Sequence, residues 1–153
     1  METAASLLEP PQTAAGETLH HLGFAVPEIR GSVDRFIAGF RLRWDGIIIH
    51  DPGQSARVTF LSHQAPGLPL IELVEPDSPE SHLTGFLKRG GGLHHVCYEV
   101  DSVQKQLDHA LATGAILLSP PTPAVAFNGR EIAWVCTRDR VFVEYLDRIG
   151  GAL

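Results

Sequence analysis

The stretch Gly90-Gly91-Gly92-Leu93-His94-His95-Val96-Cys97-Tyr98-Glu99-Val100-Asp101 has a partner near the start of the chain, Leu19-His20-His21-Leu22-Gly23-Phe24-Ala25-Val26-Pro27. Both read Leu-His-His, then an apolar residue, a free position, an aromatic, a free position and Val. Sliding the chain by 74 positions lays His21 on His95, Phe24 on Tyr98, Ile29 on Val103, Asp34 on Asp108 and Ile37 on Leu111. A second echo, at 72 positions, sets Ile71-Glu72-Leu73-Val74-Glu75 on Val143-Glu144-Tyr145-Leu146-Asp147. Self-similarity at a near-fixed offset marks a copied supersecondary unit. Each half therefore carries one His on its first strand and one Glu on its last.

Around the first copy, the alternation from Thr18 to Val26 is that of a strand with His21, Gly23 and Ala25 on one face. Pro27 ends it, and Ile29, Val33, Phe36, Ile37 and Phe40 then follow helical spacing. The β-branched run Ile47-Ile48-Ile49 predicts a strand from Trp44 to His50. Asp51-Pro52-Gly53 predicts a turn. Strands follow over Ala56 to His63 and Leu68 to Glu75, then a short helix capped by Ser81 and ending near Arg89. The second copy predicts a strand from Leu93 to Val100, a helix from Ser102 to Thr113 and a strand from Ile116 to Leu118. A proline-rich loop, Pro120-Pro121-Thr122-Pro123, leads to strands at Arg130 to Cys136 and Arg140 to Asp147.

The resulting fold class is α+β, with two tandem βαβββ modules forming a curled, barrel-like mixed sheet around a metal cleft. Residues 1–16 read as a loose tail, 17–89 as the first module with a linker helix, and 90–149 as the second module. A chain of 153 residues is enough for one domain, or for two small modules sharing one core. The net charge of −6 argues against a nucleic-acid surface. No apolar run approaches the roughly 20 residues that span a bilayer, and the leader lacks the basic start and apolar core of a secretory signal. Two cysteines build no disulfide framework. The expectation is a cytoplasmic protein with neither membrane nor nucleic acid as partner.

His21, Glu72, His95 and Glu144 hold equivalent places in the two copies, the first two 51 positions apart and the last two 49. A pseudo-twofold axis would bring all four to one centre. Two imidazoles and two carboxylates suit a divalent cation, at about 2.0–2.2 Å if it is zinc. Four donors around a six-coordinate ion leave two positions for water or substrate, which points to catalysis. His20 and His94 have the opposite parity and are predicted to face the helix layer or a module interface. His82 and His109 fall in helical segments and read as surface residues, and Cys97 as a buried thiol.

These residues resemble the vicinal oxygen chelate (glyoxalase) superfamily, and within it the methylmalonyl-CoA epimerases. The resemblance runs from about Leu19 to Asp147 and is most specific at Glu72-Leu73-Val74-Glu75-Pro76, Gly85-Phe86-Leu87-Lys88 and Gly91-Gly92-Leu93-His94-His95. It implies a paired βαβββ fold, a homodimer, and one divalent metal ion (Co, Mn, Zn, Ni or Fe) on His21, Glu72, His95 and Glu144. The activity implied is epimerisation: proton transfer at the carbon alpha to a thioester carbonyl, in an acyl thioester carried by CoA or a carrier protein. Such enzymes commonly place a catalytic Glu in the loop before the third strand, where this chain has Gly53. The candidate catalytic residues are then Glu144 and Asp51, the latter two positions upstream of Gly53. The alternatives are another metal-dependent reaction on the same scaffold, of glyoxalase, lyase or other isomerase type, and a ligand-sequestering resistance protein.

Overall fold

A computed structural model describes residues 16–148. The predicted tail therefore lies outside the described residues except for Gly16, as does residue 149 at the end of the second module. The strands are β1 (Thr18–Ala25), β2 (Leu42–Trp44), β3 (Ile49–Asp51), β4 (Ala56–His63) and β5 (Leu70–Pro76), followed by β6 (Gly92–Val100), β7 (Ile116–Pro123), β8 (Glu131–Cys136) and β9 (Phe142–Asp147). The helices are α1 (Ile29–Phe40), α2 (Leu83–Lys88) and α3 (Val103–Ala112). All nine strands join one curled, unclosed mixed sheet ordered β2-β4-β5-β1-β6-β9-β8-β7, with β3 paired to β4 off this path.

That order reads outward from a centre. β1 pairs with β5 in parallel, β6 pairs with β9 in parallel, and the two halves meet along the antiparallel pair β1–β6. The repeat is thus visible as a two-fold relation across one seam. Each half lays its helix on the outer face. Ile29 and Val33 of α1 pack with Leu42, Leu61, Ile71 and Leu73, while Val103, Leu107 and Ala110 of α3 pack with Ala133, Val135, Val143 and Tyr145. Strand residues of the opposite parity look inward. Ala25, Ala56, Val58 and Val74 form one inner cluster, and Cys97, Ile132 and Leu146, joined by Phe127 from the turn Val125–Phe127, form the other. The site lies between them.

Two sequence expectations need correction. The predicted strand from Trp44 to His50 is split into β2 and β3. Asp45-Gly46 makes a turn in which Asp45 Oδ1 accepts from the Ile47 amide at 2.9 Å and Gly46 takes φ +82°. Turn chemistry outweighs the β-branched run. Conversely, β7 continues through the predicted proline loop. Prolines cannot donate to a ladder, but β7 is an edge strand, and its pairing with β8 slips on both sides of Ser119, so no donor is required of them. Gly90, Gly91 and Gly92 all have positive φ, and the first two amides return to Leu87 and Phe86 carbonyls. They stop α2 and turn the chain into β6.

Candidate metal centre

β1 and β6 run antiparallel, and their register sets His21 opposite Cys97 and Gly23 opposite His95. Each His thus lies over the small residue two places beyond the other repeat's His. A Cβ on Gly23 would overlap the His95 ring, so only glycine leaves that imidazole its place. The parallel neighbours β5 and β9 bring Glu72 and Glu144 alongside. All four side chains are buried, with relative exposures of 0% for His21, 4% for Glu72, 2% for His95 and 3% for Glu144.

Their polar atoms converge. His21 Nε2 is 3.1 Å from His95 Nε2 and 3.2 Å from Oε2 of both Glu72 and Glu144. His95 Nε2 is 3.1 Å from Glu72 Oε2 and 3.6 Å from Glu144 Oε2. Donors bound to one ion at about 2.1 Å, at angles between right and tetrahedral, stand about 3.0–3.4 Å apart. Four of these five separations fall in that range, and the fifth is slightly wider. The charge balance agrees: Asp51, Glu72 and Glu144 line the surrounding chamber, and no Lys or Arg is among its lining residues. Buried carboxylates require a compensating cation. The donor set fits a divalent ion, which His21, Glu72, His95 and Glu144 would hold.

Without such an ion, protons do the compensating. Burial opposes a charge on His21, but Glu72, with help from Glu144, outweighs it and holds His21 protonated well above the ordinary value of 6.5. Burial likewise opposes ionisation of Glu72, yet His21 and His95 keep its carboxyl below the usual range. Burial pushes the Cys97 thiol up, so it remains a neutral, inert group beneath His21.

His20 and His94 depart from the predicted parity. The β1–β6 ladder passes from Leu19↔Tyr98 to His21↔Cys97 and from Phe24↔Leu93 to Gly23↔His95, leaving His20 and His94 as the extra residues of two matched bulges. A bulge breaks alternation and re-aims a side chain. His20 Nδ1 lies 2.8 Å from His21 Nδ1, and His94 Nδ1 lies 2.9 Å from His95 Nδ1. His94 also lines the chamber. Burial, then the neighbouring His95, holds His94 down to about 3, so it is neutral.

Asp51 is buried in the same chamber. Its Oδ1 accepts from the Gln54 amide at 3.3 Å across the turn Pro52–Gln54. A Cβ on Gly53 would come within 3.3 Å of that oxygen, so the bare backbone there leaves Asp51 its room. His50, by contrast, turns outward to Asp77, with Nε2 3.1 Å from Oδ2. His82 is exposed, as expected of a surface residue, but it precedes α2 and also borders the chamber. Trp134 was not legible as a site residue, because its place beside Glu144 follows from the β8–β9 register. Its ring centroid is 4.7 Å from that of His95, and its Nε1 has no hydrogen-bond partner among the described residues.

The inner chamber holds about 40 Å³, room for a few water-sized groups. Gln54, His82, His94 and Trp134 also line a second, outer chamber of about 430 Å³, which falls in the range of small-molecule sites and carries Arg89 on its wall. Among the described residues, no helix is long and apolar enough to cross a membrane.

Comparison with known proteins adds to this geometry. The chain is 28% identical over 127 residues to the ethylmalonyl-CoA/methylmalonyl-CoA epimerase of Cereibacter sphaeroides, covering 79% of this chain and 89% of that protein. A hypothetical protein from Bacillus halodurans superposes with a TM-score of 0.74 at 27% identity, over 90% of this chain and 98% of the other. The fold is also that of Streptomyces coelicolor methylmalonyl-CoA epimerase in complex with 2-nitronate-propionyl-CoA, with a TM-score of 0.71 at 20% identity over 84% and 95% of the two chains. A family model described as Glyoxalase/Bleomycin resistance protein/Dioxygenase superfamily matches residues 20–134. The duplicated βαβββ sheet, its central cluster of paired His and Glu, and this match together make the chain a member of the glyoxalase/bleomycin resistance protein/dioxygenase (vicinal oxygen chelate) superfamily.

Proposed function

We propose that the protein is a divalent-metal-dependent epimerase of acyl thioesters, the methylmalonyl-CoA epimerase type being the nearest named chemistry. The observation that carries this reading is one small chamber lined by Glu72, His95, Glu144 and the buried carboxylate of Asp51, with His21 Nε2 behind it within 3.2 Å of the other three donors. Relatives named as epimerases support it. The ion, whether cobalt, manganese, zinc, nickel or iron, would supply Lewis acidity, stabilising negative charge that develops on a substrate oxygen. His21, Glu72 and His95 serve to hold and orient it. Asp51 takes the proton from the carbon alpha to the thioester carbonyl, and the electron pair moves onto the carbonyl oxygen. Glu144, when it carries a proton, returns that proton to the other face as the electron pair moves back to carbon, which gives the epimer, and proton exchange with water restores Asp51 and Glu144. Apolar walls at Val58, Val74, Phe127 and Ile132 exclude water during that exchange. The outer chamber takes the arm of the thioester, delivered by CoA or a carrier protein, and the working unit is a homodimer.

The test is proton exchange. Co2+-loaded protein incubated with methylmalonyl-CoA in deuterated water is expected to place deuterium at the 2-position, seen by NMR. Asp51→Asn preserves the turn-capping oxygen and is expected to slow exchange by about 10²–10⁴-fold with the ion still bound. No exchange by the unmodified protein, with bound metal confirmed by elemental analysis, contradicts the proposal. Gly53 in place of the usual Glu favours, in that event, a glyoxalase- or lyase-type reaction on the same scaffold.

A further inference from the structure

The bulges that displace His20 and His94 do not have equivalent outcomes. His20 meets the Phe127 ring at 5.7 Å and is absent from the residues lining either chamber, whereas His94 borders both. The His94 ring sits against Phe86 at 4.8 Å, Phe142 at 5.3 Å and Trp134 at 6.3 Å, which fix its plane. Its Nδ1 faces His95 Nδ1 at 2.9 Å. Such a contact requires one donor and one acceptor. An imidazole that offers Nε2 to an ion carries its proton on Nδ1, so His95 donates and His94 Nδ1 accepts. The proton of a neutral His94 then resides on Nε2. That nitrogen forms no hydrogen bond among the described residues.

From the bulge, the Nδ1 contact and the two-chamber position, we propose that His94 is a two-ended positioning and substrate-binding residue: Nδ1 fixes the tautomer and aim of His95, and Nε2–H donates to an oxygen of the acyl thioester where the inner chamber meets the outer. This rests on the function proposed above. It links substrate recognition to the metal site through one ring, since whatever tilts His94 also tilts His95. Partners of this kind, placed behind a ligand imidazole, set its orientation and basicity.

The ends separate by substitution. In His94→Asn the amide stands near the Nδ1 position, and in His94→Gln it stands near Nε2. Co2+ affinity by calorimetry, the visible spectrum of bound Co2+, and KM for methylmalonyl-CoA are measured for both variants and the unmodified protein, after circular dichroism confirms folding. His94→Gln is expected to raise the Co2+ Kd about 10–100-fold and shift the spectrum, with KM at saturating Co2+ near that of the unmodified protein. His94→Asn is expected to keep the Kd within about threefold and the spectrum unchanged, while KM rises about tenfold. Equal losses on both readouts in both variants, or no change in either, overturn the inference and leave the proposed function standing. Unmodified protein that binds no Co2+ overturns both. If it binds Co2+ without acting on methylmalonyl-CoA, the proposed function and the Nε2 role fall, and the Kd and spectrum decide the Nδ1 role.

Discussion

A methyl group on Gly23 would have to share space with the His95 imidazole, the tightest steric condition in the site. Gly23→Ala is therefore expected to raise the Co2+ Kd by at least about 10–100-fold, the usual loss when a ligand's support is removed, with the far-ultraviolet circular dichroism unchanged. Cys97 holds the matching place beneath His21 but already carries a side chain. Cys97→Ala is expected to change the Kd by less than about threefold; equal loss in the two variants would show that the paired geometry does not govern the site. At this scale the sequence was most informative where the copies could be compared. His21, Glu72, His95 and Glu144 stood out because each had a counterpart at a nearly constant offset. Asp51 was reachable only by asking what could replace a side chain missing at Gly53. His94 and His82 were not legible as chamber residues, the first because a bulge defeats alternation, the second because it lies just ahead of its helix.

At the scale of elements, the helices contribute packing and the central strands carry the proposed donors, and the two should separate by mutation. Leu107 is a buried residue of the α3 stripe, and none of the four proposed donors belongs to its hydrophobic cluster. Leu107→Ala is expected to cost about 2–5 kcal/mol of stability in denaturant unfolding while Co2+ affinity at low temperature is retained. A parallel loss of affinity would mean that helix packing sets the donor geometry. The bounds of β1, β4 and β6 could be read to within a residue, although bulges break the alternation inside β1 and β6. β7 could not, because tolerance of its prolines depends on an edge position that no local pattern encodes. The division of the predicted Trp44–His50 strand was missed for a related reason. Thr59 Oγ1 donates to the Ile47 carbonyl and accepts from Trp44 Nε1, a tertiary bracket around the Asp45-Gly46 turn.

For the whole molecule, the cluster at the seam ties folding, protons and metal together. His21 in the metal-free protein titrates above its unfolded value of 6.5, so its contribution to stability is full below about pH 6.5 and is lost as pH rises through the higher folded value. Glu72 titrates below its ordinary 4.5, so its contribution is present above about pH 4.5 and is lost as pH falls through the lower folded value. The metal-free Tm should thus gain most from this pair between about pH 4.5 and 6.5. An ion taking the same atoms displaces the His21 proton, so its Kd should weaken about tenfold per pH unit below the raised His21 value. Calorimetry in buffers of differing ionisation enthalpy would show that proton release, and a Kd independent of pH would refute it. The account's central claim is that both repeats share one ion, and anomalous diffraction at the cobalt edge from crystals of the Co2+-loaded protein tests it most directly. The predicted result is one peak per chain, bonded to Nε2 of His21 and His95 and to carboxylate oxygens of Glu72 and Glu144. A peak elsewhere, or none at full Co2+ loading, would contradict it.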